Sequence, residues 1–269
     1  MNGIGDLSGE IYQGTFDLTM TYRLDSEVTL NYGNFVNKTS KKIIKPNSFL
    51  HYNERQFVSS SLREHGLNEL LERPKDIAWI VSHCKTASKR ENYVKEMQKY
   101  HGLKIDIFGK CGNSESQSEI PDRYAGWSAA YEKLASDYKY YLSFENSRCH
   151  DYITEKFFTA LKVGMIPVVL GGLSKEDYEK IAPSHSFIHV DDFKSPEHLM
   201  KELHAIAKDP VLYNSYFWWW RHYNVEVNIL CCPSQEWAYP ACQLCDIFNS
   251  NYSAKNNYDN FTTFWHKCR

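Results

Sequence analysis

The 269-residue chain has no run of 18 apolar residues, so no segment reads as a helix able to cross a bilayer. Met1–Leu18 has neither a basic opening nor an apolar core, and it does not read as a signal peptide. Charge of one sign is not in excess: 31 Lys+Arg face 33 Asp+Glu, a formal net charge of −2. Without a basic stripe to track phosphates, nucleic-acid binding is not expected. No Gly-x-Gly-x-x-Gly follows the first strand-like segment, which argues against a dehydrogenase-type dinucleotide site. Internal repeats and low-complexity tracts are also missing.

What is present is a chain that is 42% hydrophobic and 15% aromatic, enough for one large or two small cores. Its eight cysteines suit an oxidising compartment. The most telling stretch is Tyr138 to Gly172, which reads as strand, loop, helix, strand. Tyr140–Phe144 has strand chemistry. Thr154–Lys162 puts Phe157, Phe158 and Leu161 on one helical face, and Gly164 stands where a helix stops. Ile166–Leu170 is a second buried strand.

The polar residues between strand and helix carry the chemistry. Asn146, Tyr152, Glu155 and Lys156 fall at the carboxyl end of a strand and in the first helical turn, where parallel α/β sheets bind ligands. A cation in a first turn is disfavoured by a few tenths to ~1 kcal/mol. Lys156 there makes sense if an anion binds beside it; a solvated surface lysine is the alternative. A second corner repeats the pattern. Ile77–Val81 reads as a strand, Ser88 and Glu91 as a capping box, and Tyr93, Met97 and Tyr100 as one helical face. Arg90 sits inside that box. Two such corners suggest one diphosphate site between them.

On these residues the chain resembles the α-1,3/4-fucosyltransferases, GDP-fucose-dependent inverting enzymes. Their motif F-x-F-E-N-S-x-x-x-D-Y-x-T-E-K, followed by I/V-P-V-V-x-G, stands here as Tyr141-Leu-Ser-Phe-Glu-Asn-Ser-Arg-Cys-His-Asp-Tyr-Ile-Thr-Glu-Lys156 and Ile166-Pro-Val-Val-Leu-Gly171. Tyr141 replaces the first Phe. Thr19–Asp25, Val81–Cys84 with Arg90, Phe187–Pro196 and Cys242-x-x-Cys245 match further blocks, with His83 in place of an Asn. The resemblance covers nearly the whole chain.

It implies an α/β fold of GT-B type: a Rossmann-type parallel-sheet donor domain over 75–212, a remnant of a second, acceptor-binding Rossmann-like domain with the crossover over 1–70, and a C-terminal return over 213–269. It also implies that Arg90 and Lys156 neutralise the diphosphate, that Tyr152 donates to a phosphate, that Asn146 holds diphosphate or sugar, and that Glu155 accepts from fucose hydroxyls. No metal or other cofactor is required on this reading. Tyr22 and Arg23 are candidates for the cleft, or else ordinary packing and surface residues. Glu145, at a strand end, reads as structural. His150 and Asp151 read as a loop residue and a helix-start residue.

The family's general base is a glutamate upstream of the Thr19 block. Asp6, Glu10 and Asp17, the carboxylates preceding Thr19, lack its context. The chain is thus expected to be N-terminally truncated, to bind GDP-fucose, and to transfer L-fucose to an N-acetylglucosamine hydroxyl of a glycan poorly. The alternative is a catalytically incomplete nucleotide-binding fragment. Full-length relatives are Golgi-lumenal type II membrane proteins, whose anchor has no counterpart here. Cys84, Cys111 and Cys149 fall at one sheet edge and are expected to contain a disulfide. By the resemblance, Cys242 and Cys245 also form disulfides, some to the N-terminal domain, and with those partners absent one or more of these cysteines is expected to be left free. Asn37, Asn251 and Asn260 open N-glycosylation sequons. The aromatic run Tyr216–Trp220 reads as core packing, with guanine contact as the alternative.

Overall fold

The computed structural model describes residues 18–53, 70–112, 127–228 and 238–250, without the side chains of 127–129 and 238–242. Asp6, Glu10, Asp17, Asn251, Asn260, Cys231, Cys232 and the Cys242 side chain lie outside the described residues. The described part before residue 70 contributes only short pairs. β1 (Met20–Thr21) runs parallel to β2 (Val28–Thr29). β3 (Gly33–Asn37) finds its antiparallel partner far along the chain.

The centre is a five-stranded parallel sheet made of β4 (Lys75–Ile80), β5 (Ile105–Phe108), β6 (Tyr138–Phe144), β7 (Ile166–Leu170) and β8 (Ile188–His189). Its order is β5-β4-β6-β7-β8. Helices alternate with the strands: α1 (Arg90–Met97), α2 (Trp127–Asp137), α3 (Glu155–Lys162), α4 (Lys175–Ile181) and α5 (Pro196–Lys208). The chain then runs through α6 (Pro210–Ser215), β9 (Tyr223–Val227), which pairs with β3, and α7 (Ala238–Asn249).

Both faces of the sheet are covered, so its strands read as continuous apolar runs rather than alternating ones. Tyr140, Leu142 and Phe144 join Ile77, Trp79, Ile166 and Val168 against Val94 and Met97 of α1 and Leu199, Leu203 and Ile206 of α5. Ala78, Ile80 and Tyr141 point the other way, onto Tyr131 and Leu134 of α2 and Ala160 of α3. A third cluster holds Phe35, Phe157, Phe158, Tyr178 and Trp219. The aromatic run is therefore core: Phe217 and Trp219 are buried, and the Trp218 indole N–H donates to Ser184 O at 2.9 Å.

Most boundaries follow local chemistry. Ser195 Oγ accepts from the His198 N–H at 3.3 Å, and Pro196 opens α5, as the sequence predicts. Gly164 takes φ +77° just past α3, and the Met165 N–H returns to Ala160 O at 2.9 Å, turning the chain into β7. The expected Ser88–Glu91 capping box does not form. Lys89, at φ 53°, is the N-cap of α1 and makes no side-chain cap. The Glu91 carboxylate takes the Thr86 hydroxyl at 3.0 Å, and Ser88 Oγ donates to Glu145 O at 2.7 Å. A tertiary partner for Ser88 and a different local one for Glu91 outcompete the cap. Asp151 likewise does not start a helix; it turns the loop at φ 58°, and Thr154 is the N-cap of α3.

His185 is stacked between Tyr52 and Tyr216, 4.2 Å from each ring centre, with Nε2 2.7 Å from Ser215 Oγ. Burial pushes its pKa down to about 4. The folded chain thus keeps the ring neutral where the unfolded chain, titrating near ~6.5, takes up a proton. Its contribution is full above pH ~6.5 and fades as pH falls towards about 4. Urea unfolding of His185→Phe across that window is expected to show a shallower loss of stability than wild type. Identical slopes would mean that this ring is not the acid-sensitive group.

Candidate functional site

In a parallel sheet ligands sit outside the carboxyl ends of strands where the order reverses. Here the reversal lies between β4 and β6: the chain goes from β4 outward to β5 and returns to the far side of β4 as β6. The two corners singled out by the sequence meet at that point. The Ser88 N–H donates to Asn146 O at 3.1 Å, Ser88 Oγ to Glu145 O, and the Arg90 guanidinium to Phe144 O and His83 O.

The two cations there are in different situations. Arg90, the first residue of α1, is 3% exposed. It lies over the Trp79 ring, 5.7 Å from its centre, and burial lowers its pKa. Its hydrogen-bond partners are two carbonyls, and among the described residues no carboxylate ion-pairs with it. Its Nε is buried without a partner, and so is Asn146 Oδ1. Lys156, by contrast, is fully engaged. Its Nζ lies 3.0 Å from Glu145 Oε2, 2.7 Å from Thr154 Oγ1 and 3.2 Å from Glu155 Oε1. Burial alone would lower its pKa, but Glu145 and then Glu155 more than offset that, and it ends raised. A buried counter-ion is thus what holds a lysine in the first turn of α3.

That counter-ion is the residue sequence reasoning set aside. Glu145 is fully buried directly after β6. Oε1 accepts from the Thr154 N–H at 2.9 Å and the Thr154 hydroxyl at 2.8 Å, and Oε2 pairs with Lys156. It therefore organises the whole strand-to-helix loop, in agreement with its structural reading. Gly171 makes room for it: a Cβ there would come within 2.7 Å of Glu145 Cγ and 2.6 Å of the Tyr178 hydroxyl. The signal in the sequence was a carboxylate placed immediately after a buried strand.

Tyr152 is buried with its ring 5.1 Å from that of Tyr22 and 6.5 Å from that of Tyr32. Burial raises the Tyr152 pKa and lifts that of Tyr22 to about 12, so both phenols are donors at neutral pH. Tyr22 thereby joins the motif loop. Arg23 is buried and ion-paired with Asp25. Glu155, the first residue of α3, is 22% exposed and paired with Lys156.

Cys84 and Cys111 form a disulfide across the carboxyl ends of β4 and β5, as expected, and Cys149 is disulfide-bonded as well. Cys245, a disulfide candidate by the resemblance, is instead a free, exposed thiol on α7, the outcome allowed for one or more of these cysteines. Helical geometry turns it to solvent, where no described sulfur stands opposite it. Asn37 closes β3, and its Oδ1 accepts from the Thr39 and Ser40 N–H groups at 2.9 and 2.8 Å.

A sequence model described as Glycosyltransferase family 10 (fucosyltransferase) C-term matches residues 70–264. The chain belongs to this fucosyltransferase family. It is similar to alpha-(1,3)-fucosyltransferase C of Drosophila melanogaster, 35% identical over 96% of this chain and 56% of that protein. It is 42% identical to glycoprotein 3-alpha-L-fucosyltransferase A of Drosophila melanogaster over 62% of this chain and 32% of that one. Alpha-(1,3)-fucosyltransferase 4 of Bos taurus shares 33% over 90% of this chain and 51% of its own length. The family chain described here thus spans about half the length of the curated relatives it matches, or less.

Proposed function

We propose that this chain is the donor-binding half of an α-1,3-fucosyltransferase. It takes GDP-fucose as substrate and serves inverting transfer of L-fucose to an N-acetylglucosamine hydroxyl of a glycan. The observation that carries the reading is Arg90: a buried guanidinium whose partners are carbonyls rather than a contacting carboxylate, at the carboxyl ends of β4 and β6, where the loop after β6 also holds the orphaned Asn146 Oδ1. A diphosphate there would supply the missing negative charge. As the glycosidic bond breaks, charge builds on the leaving phosphate, and preorganised cations stabilise it.

Lys156 supports that charge from the α3 side, with Glu155 shared between the ammonium and the sugar hydroxyls. Tyr152 donates to a phosphate. Tyr22 lines the cleft, where the acceptor-side elements would close over the donor. The Cys84–Cys111 bond suits the Golgi lumen, and the Asn37 sequon would carry a glycan there.

Calorimetric titration with GDP-fucose, with GDP-mannose as competitor, tests the reading. Arg90→Met, checked for folding by circular dichroism, is expected to weaken GDP-fucose binding by roughly 10- to 150-fold, as for a lost charge-assisted bond of about 1.5–3 kcal/mol. Unchanged affinity in a folded variant would place the nucleotide elsewhere. Radiolabelled fucose transfer to a GlcNAc-terminated glycan separates a working transferase from a chain that only holds the nucleotide.

A further inference from the structure

Away from Arg90, the motif loop holds a second cluster. His150 Nδ1 stands 3.1 Å from Asp177 Oδ1 and 3.6 Å from Asp151 Oδ1, and the three donor atoms lie within 4.8 Å of one another. The Asp151 and Asp177 side chains are 3% and 4% exposed. One oxygen of each carboxylate is fixed by backbone. Asp151 Oδ2 accepts from the Leu24 N–H at 3.0 Å, and Asp177 Oδ2 from the Leu173 N–H at 2.8 Å and the Asp151 N–H at 3.4 Å. The other oxygens both face the imidazole.

Asp151 Oδ1 is a buried atom without a hydrogen-bond partner, and His150 Nδ1 has the Asp177 carboxylate alone within 3.5 Å among the pairs described above. The 3.6 Å between Asp151 Oδ1 and His150 Nδ1 is too long for a hydrogen bond. It is close to the spacing of two atoms bound to one cation: metal–ligand bonds of about 2.0–2.2 Å place neighbouring ligands about 3.0–3.5 Å apart. The backbone amides on Oδ2 would act as outer-shell supports that aim Oδ1. The other charge on the cluster is Lys180, whose Nζ lies 3.1 Å from Asp177 Oδ1. With a 32% exposed side chain, it is free to swing into solvent.

We propose that His150, Asp151 and Asp177 form a structural site for a divalent transition cation. One imidazole nitrogen and two carboxylate oxygens suit Zn²⁺ or Mn²⁺ better than Mg²⁺. The cation would displace the Lys180 ammonium and take solvent in its remaining positions. It would pin three segments together: the loop after β6, the start of α4, and the Leu24 turn that follows Tyr22. This role is separate from the transfer chemistry, and it does not depend on GDP-fucose being the donor.

The test is calorimetric titration of the metal-stripped, purified full chain with ZnCl₂ and MnCl₂, with MgCl₂ as comparison, alongside thermal unfolding. One saturable Zn²⁺ or Mn²⁺ site that raises Tm is expected. His150→Ala and Asp151→Asn should each weaken it at least about tenfold; Asn tolerates the positive φ of position 151. Lys180→Ala should bind as tightly or more tightly, since it removes the competing cation, and His198→Ala should leave binding unchanged. No binding to the folded chain at millimolar metal would overturn the proposal. So would binding indifferent to both His150→Ala and Asp151→Asn, which marks an adventitious ion only. If Asp151→Asn fails to fold, His150→Ala decides, because that side chain is 26% exposed and the fold loses little else with it.

Discussion

Lys156→Met is expected to lower the unfolding free energy by about 3–5 kcal/mol, read from urea titration at neutral pH. The figure follows from what the substitution leaves behind. Glu145 is fully buried, and its Oε2 has Lys156 Nζ at 3.0 Å as its ionic partner. Without the ammonium, a carboxylate remains in a site from which water is excluded. Two hydrogen bonds from Thr154 stay on Oε1, so the charge is solvated in part, and the low end of that range is the better guide. The companion variant carries the argument. Lys156→Met combined with Glu145→Gln removes both charges and should recover at least half of the loss, because a neutral amide can keep the Thr154 bonds. If the double variant is no more stable than Lys156→Met alone, the pair is not what makes Lys156 matter to the fold.

The Cys84→Ala/Cys111→Ala variant should lose about 3–4 kcal/mol of stability. The bond joins residues separated by 27 positions, and closing a loop of that size removes much of the unfolded chain's freedom. A double alanine variant is preferable to reductant, since Cys149 is disulfide-bonded too and would also be reduced. The expected effect also has a place. The bond ties the segment after β4 to the turn after β5, and that segment leads into Lys89 and Arg90. Nucleotide affinity should therefore fall with stability. A loss below about 1 kcal/mol would mean that the folded loop holds itself and the unfolded state is already compact there.

Much of this was legible in the residues. The βαβ unit around Tyr138–Gly172 follows from an aromatic strand, a helical stripe of Phe157, Phe158 and Leu161, and a stop at Gly164. Ser195 and Pro196 fixed the start of α5 by local chemistry alone. The two corners were brought together as expected, because strand order in such sheets leaves few choices. What failed was chemistry decided by partners outside the local pattern. The S-x-x-E pattern at Ser88–Glu91 is a good local cap, yet Ser88 finds Glu145 and Glu91 finds Thr86. Lys156 has a counter-ion eleven residues back, on the far side of a loop, a pairing that its place in a first helical turn does not reveal. β9 was missed because Tyr223–Val227 is short, and its partner lies near the other end of the chain.

That last pairing bears on how the molecule is made. Gly33–Asn37 precedes the parallel sheet in the chain and is bridged on one edge to Ile43, but among the described residues its other edge is met by Tyr223–Val227. The parallel sheet, from β4 to β8, lies wholly between the two. During synthesis it can assemble from near neighbours while Phe35, destined for the core, waits beside an open strand edge. Such an edge is a template for any other extended chain. The nascent protein is thus most exposed to mispairing in the interval between completing its sheet and delivering β9, and a chain stopped before residue 223 would keep that edge open for good.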